Sequence, residues 1–325
     1  MKKVLGMGNA LTDILLQISN DDVLIKLNLP KGSMQLVDAG KSAEIMSLLA
    51  GVKPVMAAGG SASNTVNGVA RLGAEAGFIG KVGDDAVGAF FSDDMLANGV
   101  KPQLGLSESA SGQCTVLVSA DGERTLCTFL GAACELSAAD LSPAMFEGYD
   151  IFHIEGYLVQ NHELIRTAVK MAKEAGLLVS IDLASYNVVE ANLDFLNEMI
   201  RSFVDIVFAN EEESRAFTGK EPKEALIHIS EHCDIAVVKI GKEGSYVRSV
   251  SENVKIEARL ANCIDTTGAG DLYAAGFLYG LANDYSHELC GKIGSLVSAK
   301  VVEVIGAKIA DEVWLEINKE IKAMI

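Results

Sequence analysis

The chain is short of positive charge. Against 44 Asp and Glu it carries 27 Lys and Arg, a formal net charge of −17, and its basic residues are nowhere gathered into a block. A surface of that sign repels nucleic acid and anionic membranes, so neither is expected as a partner, and any phosphate-bearing ligand must be held by local features. Six cysteines (Cys114, Cys127, Cys134, Cys233, Cys263 and Cys290) fall without CxxC or zinc spacing, which reads as the reduced thiols of a cytoplasmic protein. No stretch approaches the roughly 20 uninterrupted apolar residues of a spanning helix. Lys2 and Lys3 precede an apolar run in the manner of a secretory leader, but Asn9 and Asp13 interrupt it and no cleavage-type site follows. Val4 to Gly8 is therefore expected as a first buried strand.

Two nucleotide fingerprints are also incomplete. Gly40-Lys41-Ser42 has the end of a P-loop, but the glycine required five positions earlier is Gln35. Gly6-Met7-Gly8 and Gly268-Ala269-Gly270 each begin a dinucleotide pattern whose third glycine is replaced, by Leu11 and Tyr273, which argues against a dinucleotide-binding oxidoreductase. What remains is an ordinary globular composition, 49% hydrophobic and 22% charged over 325 residues, enough for one large α/β domain spanning 1–325 with an inserted excursion.

The stretch richest in chemistry is Asp265-Thr266-Thr267-Gly268-Ala269-Gly270-Asp271. From Leu272 to Leu281 the residues are apolar nearly all round, which predicts a buried helix, and the glycines before it leave backbone N–H groups uncovered. A helix N-terminus presents unpaired donors and about half a positive charge, so it stabilises a phosphate or a developing oxyanion. Asp271 is the only charged residue between Asp265 and Asp284. An acid there complements the helix dipole, and beside an anion hole it can also act as a general base.

Other segments point the same way. Asp13 lies between Leu11 and Ile14-Leu15-Leu16, and an acid in apolar surroundings must be paired or hydrogen-bonded, either by its own loop or by ligand hydroxyls. Gly59-Gly60-Ser61-Ala62-Ser63-Asn64 follows an apolar strand and opens a helix through Leu72, which is either a tight turn or a place where a ligand approaches the backbone. Gln113 to Ser119 and Arg124 to Phe129 flank Asp121-Gly122 as a hairpin. With a short helical piece at Asp21 to Lys26 and a strand at Ser33 to Asp38, this predicts a small β lid inserted from about 12–39 and 113–130. The middle of the chain alternates: strand 151–154, helix 161–175, strand 177–181, helix 189–202, strand 206–208, strand 235–240, with long helices at 269–282 and 286–304. Such alternation marks a mainly parallel sheet with helices on both faces.

DTTGAGD followed by small and apolar residues resembles the C-terminal motif of the PfkB, or ribokinase-like, family of carbohydrate and nucleoside kinases, and Gly-Gly-Ser-Ala-Ser-Asn resembles its N-terminal motif. The resemblance spans nearly the whole chain with the motifs in order, and the wording GMGNALTDI looks closest to the adenosine kinase branch. It implies an α/β fold with a central, mostly parallel sheet, helices on both faces and a small β-sheet lid. By the same resemblance Asp271 takes the acceptor proton, the amides of Gly268, Ala269 and Gly270 hold the transferred phosphoryl group, and Arg124 reaches that group from the lid. Asn9, Asp13, Gly59, Gly60 and Asn64 would grip the acceptor, with Leu130, Ala132 and Tyr157 on its lid side.

For ATP, the resemblance implies Gly241, Gly244 and Thr266 along the nucleotide and Asn210 with Glu213 organising magnesium-bound water. Asp265 and Thr267, with carbonyls around Val301 to Gly306, would hold a monovalent cation such as K+. Three positions depart from the pattern. Val66 and Lys239 stand where a small residue and a small hydroxyl residue are usual, and Thr267 replaces the Asn often found in adenosine kinases, in agreement with sugar kinases. The implied activity is ATP-dependent phosphorylation of a primary hydroxymethyl group, on a ribosyl nucleoside such as adenosine or on a free sugar such as ribose or fructose. The protein would act as a monomer or as a lid-clasped homodimer. A catalytically silent relative would keep the fold, but the intact Asp271 and its glycines argue against one.

Overall fold

Val4–Met7 and Ile151–Glu155 are buried at every position, because the sheet they belong to is covered by helices on both faces. The computed structural model describes residues 1–325. The chain opens with β1 (Val4–Met7), β2 (Leu11–Gln17), α1 (Asp22–Lys26), β3 (Met34–Leu36), α2 (Ala39–Leu48), β4 (Val55–Gly59) and α3 (Ser61–Arg71). β5 (Ala76–Gly83), α4 (Ala86–Ala97) and β6 (Val100–Ser107) lead to the hairpin of β7 (Gly112–Val118) and β8 (Arg124–Phe129). Then follow β9 (Ile151–Glu155), α5 (His162–Glu174), β10 (Leu178–Asp182), α6 (Tyr186–Ala191), α7 (Leu193–Ser202), β11 (Ile206–Asn210), α8 (Glu211–Thr218), α9 (Pro222–Ser230) and β12 (Ile235–Lys239). An edge hairpin of β13 (Ser245–Ser249) and β14 (Asn253–Ile256) precedes α10 (Ala269–Ala282), α11 (His287–Val301) and α12 (Asp311–Met324).

Nine strands form the large sheet, in the order β14-β13-β12-β11-β10-β9-β1-β5-β6. All neighbours are parallel except the β12-β13-β14 edge. Alternate residues enter opposite cores, as a strand's period of two requires. Val4, Phe78, Ile151 and Val237 pack with Val66 of α3, Phe277 of α10, Leu296 of α11 and Trp314 of α12. Leu5, Ile79, Phe152 and Val207 pack with Val169 of α5, Met199 of α7 and Ile229 of α9. No helix is long and apolar enough to cross a membrane.

A second sheet of five strands, β3-β8-β7-β2-β4, is built from the excursion. Its outer face carries Ile14, Leu16, Leu117 and Cys127, buried against Leu24 of α1 and Ile45 of α2. By alternation the other face carries Asp13, Leu15, Cys114, Val116, Leu126 and Arg124, and the pairing sets Asp13 beside Ala57 and Cys114. Of its strands β2, β3, β7 and β8 fall within the segments expected for the lid, about 12–39 and 113–130, and β4 joins them from outside through its pairing with β2, so the sheet includes residues as far as Gly59.

Two helix boundaries also differ from expectation. The helix expected over 189–202 is two, α6 and α7, broken at Asn192 (φ −129°), whose amide donates to the Val188 carbonyl at 2.9 Å. α11 stops at Val301 rather than 304, and the Val302 carbonyl accepts the N–H groups of Ile264 (2.7 Å) and Asp265 (3.2 Å). That exchange ties the end of α11 to the start of the glycine motif.

Candidate active site

Four adjacent strands, β9 to β12, end on polar residues: Glu155, Asp182, Asn210 and Lys239. Parallel pairing places Asp182 beside Glu155 and Asn210 beside Lys239. The carboxyl edge of the sheet, where open α/β folds take their ligands, is therefore a row of polar groups, three of them titratable. The N-termini of α3 and α10 meet at the same edge.

Asp271, in the first turn of α10, accepts hydrogen bonds from Ser61 Oγ (2.8 Å) and Asn64 Nδ2 (2.9 Å), both on the first turn of α3. Thr65 Oγ1 donates to the Asp271 carbonyl at 3.2 Å. Burial pushes the Asp271 carboxyl above the usual carboxylate range, and the bonds from Asn64 and Ser61 pull it part of the way back. Asn64, expected on the acceptor, holds the acid through its side-chain amide. Ser61 was not singled out from sequence.

Gly268 takes the left-handed conformation (φ +74°), and a Cβ on it would lie 2.6 Å from that of Ala307. The N–H groups of Gly268, Gly270 and Asp271 have no acceptor within the chain, whereas that of Ala269 is spent on the Thr266 carbonyl at 3.1 Å. The open donors at this helix start are therefore those three, and the Ala269 amide expected among them is not. Thr266 itself is exposed.

On the small-sheet side Asp13 accepts no hydrogen bond from the protein, and a Cβ on Gly59 would fall 2.5 Å from its carboxylate. Only glycine at 59 leaves room for it. Burial, then the charge of Asp271, pushes Asp13 up to about 7, against the opposing pull of Lys308 and Arg124. Gly60 (φ +93°) sits so close to the Asn9 carbonyl that a Cβ would be 2.3 Å from it. The Asn9 side-chain amide donates to Glu155 Oε1 at 2.5 Å, while Glu155 Oε2 accepts the Ala62 N–H at 3.2 Å. Burial pushes Glu155 up to about 7. Tyr157 is 40% exposed with its hydroxyl near the Ala184 carbonyl at 3.5 Å, and Leu130 is half-buried. Ala132 is fully buried, which makes it a core residue and removes it from the pocket.

At the nucleotide end Asn210 and Glu213 form a reciprocal cap on α8. The Glu213 N–H donates to Asn210 Oδ1 (2.8 Å), and the Asn210 backbone and side-chain N–H groups donate to the two Glu213 oxygens (both 2.7 Å). Burial, then the charge of Asp182, raises the Glu213 carboxyl above its usual range. Lys239 Nζ donates to Asp182 Oδ2 at 2.7 Å. Gly241 (φ +53°) and Gly244 (φ +97°) shape the turn before β13, where a Cβ on Gly244 would strike the Ile256 carbonyl at 1.9 Å.

Arg124 crosses from β8 to the glycine motif. Its guanidinium pairs with Asp265 and donates to Thr267 Oγ1 at 2.9 Å. Asp265 also accepts the N–H groups of Thr267 (2.9 Å) and Gly306 (2.6 Å). The cation that faces Asp265 and Thr267 is thus a side chain, and the two residues expected to hold a monovalent ion are engaged by Arg124.

Comparison with known proteins decides the family. Residues 35–313 match the model of the pfkB family carbohydrate kinases. The chain is a pfkB-family kinase. Among solved structures it is similar to an adenosine kinase from Sinorhizobium meliloti, 34% identical with a TM-score of 0.85 over 100% of this chain and 99% of that one. It is equally similar to a probable sugar kinase from Rhizobium etli, 33% identical with a TM-score of 0.86 over 99% and 98% of the two chains. An aminoimidazole riboside kinase of Salmonella typhimurium is 29% identical over 77% of this chain and 82% of its own. The large parallel sheet with its smaller companion is the ribokinase-like fold of these relatives.

PfkB-family kinases use ATP and, in general, magnesium. No three His, Cys, Asp or Glu side chains of this kinase converge into a cage for a metal ion. Each Glu213 oxygen accepts one bond from Asn210 and keeps a further lone pair, a donor set that fits magnesium carried on nucleotide phosphates and reached through water. The glycine turn offers a direct test. A Cβ on Gly270 would stand 3.1 Å from Lys239 Nζ, in otherwise open space. Gly270→Ala is expected to fold with an unchanged thermal midpoint and to lose turnover by about 100-fold, since the methyl covers the open N–H donors. Turnover within a few-fold of wild type would show that the anion does not lie there.

Proposed function

We propose that this kinase transfers the γ-phosphoryl group of ATP to the primary hydroxymethyl group of a ribosyl nucleoside such as adenosine. The observation that carries the reading is Asp13, a half-buried carboxylate without a protein donor, set on a sheet face whose neighbouring row is apolar. Two vicinal hydroxyls would supply the missing donors, and Leu15, Val116 and Leu126 suit the flat face of a base. Asp271 removes the proton of the hydroxymethyl oxygen, which attacks the γ-phosphorus as the bond to the ADP oxygen breaks. The Gly268, Gly270 and Asp271 amides face the charge that spreads onto the phosphoryl oxygens. Positioning and fixed dipoles supply most of the acceleration in such transfers.

A free sugar is the second reading, favoured by Thr267 and by the sugar kinase relative. A coupled ADP-release assay over adenosine, other nucleosides, ribose and fructose tests both. The highest kcat/KM on a nucleoside supports the first, and the highest on a free pentose or hexose overturns it.

The small sheet is read as a lid that closes on the acceptor, with Arg124 as its latch. Its edges carry the exposed apolar residues Met34, Leu36 and Val55, a surface that invites pairing with a second copy. Hydrogen exchange separates the roles. Amides of β2, β7 and β8 are expected to gain protection when acceptor is added, with little dependence on protein concentration, and Arg124→Ala is expected to reduce that gain. Protection that follows concentration and ignores acceptor would favour a dimer clasp.

A further inference from the structure

Lys239 is the one position of the nucleotide side that departs from the expected small hydroxyl residue, and the structure gives it an unusual setting. Its side chain is 15% exposed, yet its ammonium has a single acceptor, Asp182 Oδ2 at 2.7 Å. An ammonium carries three donors, so two are unspent at a nearly buried site, where unpaired donors are costly. Nζ also stands 3.1 Å from the point that a Cβ on Gly270 would occupy, on the open side of the glycine turn. Asp182, Glu213 and Asp271 are the charged groups around it. A polyphosphate entering among three acids meets repulsion unless a cation is placed beside it, and Lys239 is the cation already there.

We propose that Lys239 is a catalytic residue whose ammonium donates to the phosphoryl group as it passes the Gly270 amide, with Asp182 aiming it. The inference rests on the kinase assignment and not on the identity of the acceptor. In the transfer the hydroxymethyl oxygen bonds to the γ-phosphorus, the bond from that phosphorus to the ADP oxygen breaks, and the hydroxyl proton passes to Asp271. Lys239 stays protonated throughout, holding charge that is greatest in the transition state. The raised affinity of Lys239 for its proton, set by Asp182 and Glu213 against the opposing effect of burial, agrees with that role.

The bland explanation, that Lys239 only neutralises Asp182, makes a different prediction. The test uses the full chain with Lys239→Met, Lys239→Arg and the double variant Lys239→Met/Asp182→Asn, which removes both charges and leaves neither partner stranded. Lys239→Met is expected to lower kcat by about 100-fold with acceptor KM little changed, as for loss of one transition-state donor. Lys239→Arg is expected to recover part of this, and the double variant none. Calorimetry supplies a readout independent of acceptor. Affinity for ADP with fluoroaluminate, a charged mimic of the phosphoryl group in flight, is expected to fall in Lys239→Met while affinity for ADP alone holds. Recovery of the double variant to near wild-type turnover, or equal losses for ADP with and without fluoroaluminate, would overturn the proposal. A wild-type chain that binds ADP with fluoroaluminate but phosphorylates no nucleoside would refute the acceptor reading and leave this comparison decisive for Lys239.

Discussion

Asp271→Asn is expected to lower kcat by about three orders of magnitude, the upper part of the range for loss of a general base, while ATP affinity changes little. The substitution keeps the size of the side chain and one of its two acceptor oxygens, so one of the bonds from Ser61 and Asn64 survives. The N–H donors of Gly268 and Gly270 are untouched, which is why nucleotide binding persists. Single-turnover kinetics with calorimetry on the same preparations separates the two effects. More than about a tenth of wild-type turnover would show that Asp271 is not the base. In the wild-type enzyme the base must be ionised. Because burial raises its pKa, the acid limb of the rate profile is expected above the titration of an unburied Asp.

Asp13→Ala is expected to raise the KM of the acceptor by about 100-fold or more, the effect of losing two hydrogen bonds to a charged group, with the KM for ATP unaffected. Equal losses on both substrates would point to misfolding or to a different role. Stability moves the other way. Asp13 is held at about 7 in the folded chain against an ordinary value of 3.8, so the folded state favours its protonated form. The destabilisation is absent below the ordinary value, grows as pH rises towards 7, and is complete above it. Asp13→Ala removes it, and the thermal midpoint of the variant is expected to gain on that of wild type across that window.

The residues carrying the glycine motif, the lid hairpin and Asp13 were legible in the sequence because each breaks a local pattern: glycines before a helix, Asp-Gly between strands, an acid among aliphatics. Glu155 and Asp182 were not, for one shared reason. Strands read from apolar runs end at Ile154 and Ile181, one residue before the polar group that closes each strand and faces the site. Asn64 illustrates a second limit. Its type and position are visible, but its partner lies 207 residues away on α10, and only the packing of α3 against α10 brings it to the acid. Arg124 and Asp265, 141 residues apart, are joined by the fold in the same way. β4 lay outside the segments read as the lid because its strand reads as the lead-in to Gly59-Gly60, and its pairing with β2 is set only by the fold.

The central claim is transfer to a primary hydroxymethyl group at Asp271. Phosphorus NMR of the product formed from adenosine and ATP tests it directly, since a phosphate on a CH2–O carbon is split by two protons into a triplet, and one on a secondary carbon by a single proton into a doublet. A product triplet, absent with Asp271→Asn, is the expected result. A doublet, or inorganic phosphate released without any phosphorylated acceptor, would contradict it.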